Sequence, residues 1–425
     1  MQESNRNFFL LLTGQMVSLF GSSVHLVAVI LYIKDLTGMA AALGIFQFVA
    51  YLPIILLSPY GGILADTCSR KRLIIYTDLL RGLIMIALGV LYLRGMLTYA
   101  VLLAGTFIIS ICSALFHPAA HALFPDLVSA ETLRRKNALK STTLLGANFA
   151  GSSLGGLAFM VFGPAAVFIF NGFSFCFSAA EESFITYHSN SPATRPPGGR
   201  TILSSMVLSS ILTQVREMRD YMRREKGIST VLLTYALVSG LYPPVILSLP
   251  FLLEQRYFLG PEFFGIAMAL LLAGGGSGAI LYGFSIRGRQ SNSAIFFSAM
   301  TVLSPLLLII GFSHSPVIPF LILPSTGLCI GLMHQIMTTT LYQKVRMESR
   351  GRIFGVMESL ASFTVPISYA AGGFIIQLLQ NNLSWFYLLM GGLLLSLSFF
   401  IYLGTGIRDF LNEAETSSNL GDHTH

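Results

Sequence analysis

Twelve long apolar blocks, separated by short polar or Pro- and Gly-rich segments, run through this sequence. Each block is close to the roughly 20 residues that a helix needs to cross the hydrocarbon core of a bilayer. Only 11% of the 425 residues are charged, whereas about 25% are charged in a typical soluble domain. We therefore predict an all-α integral membrane protein with twelve transmembrane helices. The predicted spans are 8–33, 40–64, 73–93, 98–124, 138–162, 164–187, 229–253, 262–286, 291–313, 316–343, 353–378 and 383–404.

The Lys and Arg residues are distributed unequally between alternate loops. If the N-terminus lies inside, 22 of the 26 fall in cytoplasmic segments, and Lys34, Arg94 and Arg256 are the three outside. Membrane proteins carry such an excess of positive charge in their cytoplasmic loops. We therefore expect a multi-pass protein of the plasma (inner) membrane with both termini in the cytoplasm. The same asymmetry explains the net charge of +7 without a nucleic-acid partner.

A central polar segment divides the chain into two groups of six apolar blocks. It begins with several Pro and Gly residues, and 201–226 then mixes apolar with basic residues in the pattern of an amphipathic helix at a membrane surface. The sequence thus predicts an N-terminal six-helix bundle at 1–187, a cytoplasmic linker at 188–228, a C-terminal six-helix bundle at 229–404 and a cytoplasmic tail at 405–425.

An internal repeat relates the two halves at a constant shift of 217 positions. Paired Arg and His residues at one shift are less readily accidental than matches between apolar residues. Six helices per half with the same sense indicate a parallel repeat about an axis along the membrane normal, with the substrate cavity between pseudo-symmetric bundles near mid-membrane. The matched pairs include Gly61 and Gly278, Arg70 and Arg287, Arg72 and Arg289, His117 and His334, Arg135 and Arg352, Gly155 and Gly372, and Gly156 and Gly373.

A Gly-rich basic loop follows the second span, from Gly61 and Gly62 through Asp66 to Arg70, Lys71 and Arg72. A carboxylate in a tight turn pairs with Arg or accepts hydrogen bonds from a helix N-terminus, and glycines let helices approach closely. Such contacts bias a conformational equilibrium if they form in only one state. The loop resembles the signature of the major facilitator superfamily, with Ser69 in place of the usual Gly, and the resemblance implies the major facilitator fold. In the second half, Arg287 and Arg289 remain but Gly283 stands at the position of Asp66.

Further segments resemble the subgroup that contains the enterobactin exporter and macrolide efflux pumps. They are Phe124-Pro125-Asp126-Leu127-Val128, the glycines Gly151, Gly155 and Gly156, the run from Asn171 to Phe175, and Gly351-Arg352-Ile353-Phe354-Gly355. The resemblance implies a secondary active transporter, an antiporter that exports a small organic molecule of drug or siderophore type in exchange for protons. It departs from the family at Ser152, where the antiporter signature usually has Pro. We assign Gly151, Gly155, Gly156, Gly372 and Gly373 to helix packing.

Ionisable side chains inside spans are costly, which makes them candidates for function. Asp78 and Arg81 lie three residues apart on one helix face and are expected to neutralise each other. Glu358, one to two turns into the eleventh span, is our best single carboxylate for proton coupling. Glu181 and Glu182 are expected to reach the aqueous boundary at the end of the sixth span.

Four histidines fall on spans that line the cavity in this fold: His25, His117, His121 and His334. The repeat predicts that His117 and His334 face each other across the pseudo-two-fold axis, where the charge of two imidazoles would make transport depend on pH. Packing against a neighbouring helix is the alternative for each. His117 and His121 share a helix face, but no HExxH motif accompanies them, so we expect no metal site and no cofactor.

Alternative functions remain open from the sequence. A lipid or lysolipid translocator is the second hypothesis, and a non-transporting membrane receptor or an intramembrane enzyme is the third. The sequence has no GxSxG, HExxH or Walker motif, so it gives no support for an enzyme. The expected partners are a small-molecule substrate, protons and the lipid bilayer, and we expect a monomer.

Overall fold

The structure is a computed structural model that describes residues 2–186, 216, 226–283, 291–345, 347–380, 382–404, 406–408 and 410–412. These residues form long helices joined by short turns, and the described part contains no strand. The first four helices are α1 (Gln2–Thr37), α2 (Ala40–Thr67), α3 (Arg70–Leu93) and α4 (Tyr99–Asp126). The last six are α7 (Lys226–Tyr257), α8 (Pro261–Leu281), α9 (Asn292–Phe312), α10 (Val317–Lys344), α11 (Met347–Leu378) and α12 (Leu383–Gly404).

The fifth and sixth predicted spans form one helical run, Ala130–Ser183, that is broken at Gly163. Its 54 residues would make a helix of about 80 Å, far longer than one membrane crossing. Gly163 has φ 75° and ψ 171°, a conformation that essentially only Gly adopts, and Pro164 then starts a new helix as a first-turn residue. We call the two parts α5 (130–162) and α6 (164–183).

Side-chain hydrogen bonds to the backbone stabilise several helix ends. Ser69 and Thr98 are the N-caps of α3 and α4, where their hydroxyls accept from the backbone N–H of Arg72 and Val101. At the start of α1, the Asn7 side chain exchanges two hydrogen bonds with the backbone of Thr186, beyond the end of α6, at 2.8 and 3.1 Å. These bonds satisfy backbone groups that have no partner within a helix.

The chain divides into two compact units. Unit 1 holds the described parts of Met1–Gly38, Phe46–Val215 and Pro261–Gly265, and unit 2 holds those of Met39–Ile45, Arg216–Gly260 and Ile266–His425. In unit 1, α1 packs on α5 and α6, and α3 packs on α4 and α6. In unit 2, α7 packs on α11, and α9 packs on α10 and α12. The same helix pairs therefore pack in both halves.

Each unit contains the same close helix contacts, at positions related by the shift seen in the sequence. A Cβ added at Gly155 would clash with Val27 of α1, and one added at Gly372 would clash with Pro244 of α7, which lies 217 positions after Val27. Likewise, a Cβ at Gly61 would meet Leu115 of α4, and a Cβ at Gly278 would meet Leu332 of α10. Glycine at these positions lets helix backbones approach closely.

The predicted fold class is confirmed. Eleven helical stretches among the described residues are long and apolar enough to cross a membrane, and one of them contains the break at Gly163. The observed helices match the twelve predicted spans. They often extend a few residues past them, because polar helix ends continue beyond the apolar core that defines a span. The linker at 188–228, apart from residues 216 and 226–228, and most of the tail at 405–425 lie outside the described residues.

Candidate functional site

A cavity of about 420 Å³ lies within unit 1. All six helices of the unit contribute to its wall. Apolar residues such as Leu26, Met85 and Phe175 alternate there with polar ones, and several polar lining residues are almost fully buried. The polar lining residues are Gln15, Ser18, Ser22, His25, Gln47, Arg81, Thr106, Ser110, Ser113, His117, His121, Lys140 and Asn171.

Arg81 connects this cavity to a buried carboxylate. Its guanidinium forms an ion pair with Asp78 one turn earlier on α3, and Asp78 is 0% exposed. The guanidinium carbon also lies 4.2 Å from the ring centre of Phe116 and 4.6 Å from that of Phe175, distances typical of cation–π contacts. The predicted pairing of Asp78 with Arg81 is thus present, and Arg81 in addition lines the cavity.

Three of the four candidate histidines lie on the cavity wall. His117 and His121 share one face of α4, as their spacing indicates, and both are exposed to the cavity. His25 is buried, its ring centre lies 5.0 Å from that of Phe168, and its Nδ1 has no hydrogen-bond partner among the described residues. Lys140 of α5 completes the basic lining, with its Nζ 4.8 Å from the ring centre of Phe124. The described residues contain no group of three or more His, Cys, Asp or Glu that would hold a metal.

The fourth histidine belongs to a cluster in unit 2. His334 of α10 forms a 2.5 Å hydrogen bond through Nε2 with the hydroxyl of Tyr235 on α7. Tyr235 is buried and also interacts electrostatically with Glu358 of α11. The structure therefore brings His334 and Glu358, which were separate candidates, around a tyrosine that sequence reasoning missed. Ser18, which lines the cavity of unit 1, is the equivalent of Tyr235 at the 217 shift.

The signature loop connects α2, α3 and α4 through Arg70. Its guanidinium donates to the backbone carbonyls of Ala65 and Ala122 at 3.1 and 3.2 Å and forms a 2.7 Å ion pair with Asp126 at the end of α4. Asp126 was noted in the sequence only as part of a family resemblance. The side chain of Asp66, the partner expected for Arg70, lies outside the described part of the structure.

The remaining signature residues have distinct surroundings. Lys71 donates to the carbonyl of Ser183 at 2.8 Å, at the C-terminal end of α6, where the helix dipole favours a cation. Arg72 is exposed. Ser69 has φ −66°, so its position has no need of the Gly that the family usually has. A Cβ at Gly61 would clash with the carbonyl of Ala114, whereas Gly62 has open space around it.

The other candidate glycines lie at helix contacts. Gly151 of α5 packs against Phe20 and Ser23 of α1. Ser152 beside it is buried, and its hydroxyl and that of Ser23 both donate to the amide oxygen of Asn148. A polar contact between α1 and α5 therefore occupies the position where the family usually has Pro. The other contacts join Gly156 with Pro261 and Gly265 inside unit 1, and Gly373 with Ala40 inside unit 2.

The structure does not describe several candidates of the second half. Arg287 and Arg289 lie outside the described residues. Gly351 and Arg352 lie in the second turn of α11, and the structure does not describe their side chains.

One expectation at the end of the sixth span is wrong. Glu182 is 0% exposed, so it does not reach the aqueous boundary. Glu181 is partly exposed and accepts a hydrogen bond from Thr13 at 3.3 Å. The difference arises because adjacent residues on a helix point about 100° apart, so that one of the two faces the bundle interior. A helical-wheel comparison of Glu182 with Asn171, Ser174 and Ser178 would have given this signal.

Comparisons with known proteins agree with this geometry. The sequence profile of the family described as transmembrane secretion effector (MFS_3) matches residues 4–423. The chain is 25% identical over 430 residues to the MFS-type transporter YfiS of Bacillus subtilis, covering 98% of both chains. It is 24% identical over 398 residues to macrolide efflux protein A of Streptococcus pyogenes, covering 92% of this chain and 94% of that protein.

A solved structure of a bacterial homologue of the human lysosomal transporter Spinster has the same fold. It superimposes with a TM-score of 0.71 at 14% identity and covers 98% of both chains. The family match along nearly the whole sequence and the transporter relatives make the chain a multi-pass membrane transporter, not an enzyme. The chain belongs to the transmembrane secretion effector family of the major facilitator superfamily.

Proposed function

We propose that this transporter exports a small organic molecule from the cytoplasm in exchange for protons. The observation that supports the proposal most directly is the cavity in unit 1. Its volume of about 420 Å³ lies within the range of small-molecule sites, about 300 to 1,000 Å³. Relatives that are named efflux proteins support the direction of transport.

The mixed lining of the cavity favours an amphipathic cargo of drug or siderophore type. Leu26, Met85 and Phe175 supply apolar surface, while Gln47 and Arg81 supply hydrogen-bond donors. A few polar groups on a mainly apolar wall are typical of sites that orient an organic molecule. A cargo with both apolar and hydrogen-bonding surface would therefore match this wall.

We propose that transport proceeds by alternating access. The support is the repeated helix packing of the two units, because equivalent bundles that rock about a central site are the basis of this mechanism in the fold. His117, His121 and Arg81 in unit 1, and His334 and Glu358 in unit 2, are the groups we propose for cargo binding or proton transfer. We propose a monomer with both termini in the cytoplasm, as the charge distribution predicts.

The test is transport into inside-out membrane vesicles from cells that overproduce the chain. Radiolabelled erythromycin, a catecholate siderophore and a fluorescent lysophospholipid serve as separate probes. Respiration acidifies the vesicle interior, so we expect one of the first two probes to accumulate. Nigericin and valinomycin together in K⁺ buffer collapse both the pH gradient and the membrane potential, and we expect them to abolish the accumulation.

Two results would contradict the proposal. Accumulation that survives nigericin and valinomycin together would exclude proton exchange, because no proton-motive force then remains. Movement of the lysophospholipid alone would instead assign the chain to lipid translocation. Vesicles without the overproduced chain are the control for endogenous pumps.

A further inference from the structure

Three ionisable side chains meet between α3 and α6, inside unit 1. Glu182 of α6 and Asp78 of α3 are both 0% exposed, and Arg81 is 5% exposed. Glu182 interacts electrostatically with both Asp78 and Arg81. Neither carboxylate oxygen of Glu182 forms a hydrogen bond of normal geometry among the described residues, and the Ser178 hydroxyl, one turn earlier on α6, is the hydroxyl that acts on it. A buried carboxylate without such hydrogen bonds requires a physical explanation, because buried polar groups are normally paired.

Small residues explain how these charged groups come together. Gly89 of α3 packs against Ala165 and Ile169, and Gly82 packs against Gly172 and Cys176. The contacts run in opposite directions along the two helices, so α3 and α6 are antiparallel and close. When the two helices are followed in this register, Asp78 and Arg81 come to lie beside the last turns of α6, where Glu182 lies. The close approach of the backbones leaves both carboxylates fully buried, while Arg81 also reaches the cavity wall.

The charge balance of this cluster indicates where a proton resides. The single guanidinium of Arg81 pairs with Asp78, so an ionised Glu182 would leave one unpaired negative charge in the bundle interior. An unpaired buried charge is strongly unfavourable, and the group usually becomes neutral instead. We infer that Glu182 carries a proton in the state that the structure shows.

The other described cation at this end of α6 is Lys71 of α3, whose Nζ donates to the carbonyl of Ser183 at 2.8 Å and is not among the groups that act on Glu182. Cys112 of α4 and Cys176 of α6 interact with Asp78, and Ser178 on α6 itself is an uncharged neighbour. On α1, Gly14 packs against Ser178 and brings no charge. Arg81 is therefore the described cation that acts on Glu182.

Arg81 also connects Glu182 to the cavity. Its side chain lines the cavity wall and interacts electrostatically with His117. A shift of the guanidinium towards Glu182 would stabilise the carboxylate and favour release of the proton, and a shift away would favour proton binding. Contacts between a cargo and Arg81 would thus change the proton affinity of a carboxylate that the cargo never touches.

We propose that Glu182 is the carboxylate that binds and releases the transported proton, and that Arg81 is the positioning residue that makes this step sensitive to the cavity. The proposal rests on the proposed proton-coupled transport and names its proton site. It replaces Glu358, the exposed carboxylate favoured by the sequence, in that role.

The first test needs no transported molecule. Infrared difference spectra of the purified full chain in liposomes, recorded during a pH titration, report the C=O stretching band of protonated carboxyl groups. We expect Glu182→Gln to remove part of this band. Glu181→Gln, which changes the partly exposed neighbour, should leave that part unaltered. A band that is equally strong in wild type and Glu182→Gln would overturn the proposal.

The role of Arg81 has its own readout. The comparison is made in an Asp78→Asn background, because Arg81→Gln alone would leave the Asp78 carboxylate without its ion-pair partner. In that background, Arg81→Gln should make the part of the band that depends on Glu182 titrate at a pH higher by about one to three units, because a positive charge nearby has been removed. A residue with only a packing role would lower stability without moving this titration. An unchanged titration in the folded double variant would remove Arg81 from the proposal.

The second test measures coupling. The test uses whichever probe wild type accumulates in inside-out vesicles. Accumulation of this probe driven by a pH gradient should fall by at least about tenfold in Glu182→Gln, whereas exchange of labelled for unlabelled probe across the membrane should be retained. Glu182→Asp, which keeps the carboxyl group, should retain gradient-driven accumulation, and it serves if Glu182→Gln does not fold.

The two tests separate the proposals. If wild type accumulates a probe and Glu182→Gln accumulates it equally, Glu182 is not the proton site although the proposed function stands. If the infrared band depends on Glu182 but no probe is moved by the pH gradient, the protonated carboxyl is real and proton-coupled transport is wrong. That outcome would also end the proposal that Glu182 carries a transported proton.

Discussion

Arg70 of α3 shows how one residue acquires partners from two neighbouring helices, α2 and α4. It bonds two backbone carbonyls, of Ala65 and Ala122, and one carboxylate, that of Asp126. Asp126 is 37% exposed at its side chain, and ion pairs with such access to solvent contribute little. Most of the stability that Arg70 contributes should therefore come from its hydrogen bonds to the two backbone carbonyls.

Asp126→Asn and Arg70→Gln test this division. We expect Asp126→Asn to cost about 0.2 to 1 kcal/mol, the range of exposed pairs. Arg70→Gln should cost more, because it also removes carbonyl hydrogen bonds worth about 1 kcal/mol each. Thermal unfolding in detergent of both variants and their double variant gives the comparison. Arg72→Gln, at an exposed position, is the control. Equal losses in the two single variants would contradict the prediction.

The bond between Tyr235 and His334 gives a second prediction at this scale. Tyr235→Phe removes the hydroxyl but keeps the ring that packs 4.8 Å from the imidazole. We expect Tyr235→Phe and His334→Gln to alter the pH profile of probe uptake in the same way, and the double variant to add nothing, because each removes the same hydrogen bond.

Uptake into inside-out vesicles between about pH 5.5 and 8, the range in which histidines commonly change charge, is the measurement. Tyr76→Phe, at a side chain that is 66% exposed, should leave the profile unchanged. Additive effects of the two changes would show that Tyr235 and His334 act separately.

At the scale of elements, close helix contacts depend on particular glycines and not on all of them. A Cβ at Gly61 would clash with the backbone carbonyl of Ala114 on α4, and a Cβ at Gly278 would clash with that of Leu328 on α10. A backbone carbonyl in a packed helix moves less readily than a side chain. A Cβ added at Gly62, the next residue of the signature loop, would have no neighbouring atom within 4 Å.

These surroundings predict opposite effects for adjacent substitutions. Gly61→Ala and Gly278→Ala should each lower stability by about 1 to 3 kcal/mol through overpacking. Gly62→Ala should be neutral or raise stability by up to about 1 kcal/mol, because Ala favours helix over Gly. Thermal unfolding and the yield of folded protein in detergent measure both. Stability losses of equal size at Gly61 and Gly62 would show that the α2 to α4 contact does not require glycine.

At the scale of the whole molecule, the orientation in the membrane rests on the charge distribution. Cys68 is exposed in the turn between α2 and α3, while Cys112 and Cys329 are buried. The sequence places the turn at Cys68 in the cytoplasm and Met96, which is 60% exposed, outside. A native thiol and one engineered thiol therefore report on opposite sides.

We expect a membrane-impermeant maleimide to leave Cys68 unlabelled in intact cells and to label it in inside-out vesicles. In a Cys68→Ser background, Met96→Cys should show the reverse, and thiols introduced at Ser191 and Ser417 should be labelled from the same side as the native Cys68. Positive-inside bias of 22 basic residues against three is the physical reason. Labelling of Cys68 from outside intact cells would invert the proposed topology.

The sequence by itself determined the spans, the fold class and the repeat. A transmembrane helix satisfies its own backbone hydrogen bonds, so its apolar length is enough to identify it. The break at Gly163 was also predicted, because Gly163 and Pro164 separate the apolar blocks of the predicted spans 138–162 and 164–187. The shift of 217 positions that matches Gly155 with Gly372 also indicated which contacts recur.

Only the tertiary structure decided which side chains act together. Arg70 pairs with Asp126, 56 positions away, Tyr235 bonds His334, 99 positions away, and Glu182 is buried beside Asp78 and Arg81 although it looked like a residue at the membrane boundary. The apolar pattern of a span predicts its length but says little about its rotation about the helix axis, because the lipid and the interior of the bundle are both apolar. Packing against neighbouring helices sets the rotation of a helix about its own axis. That rotation determines whether a carboxylate on the helix faces water or a neighbouring helix.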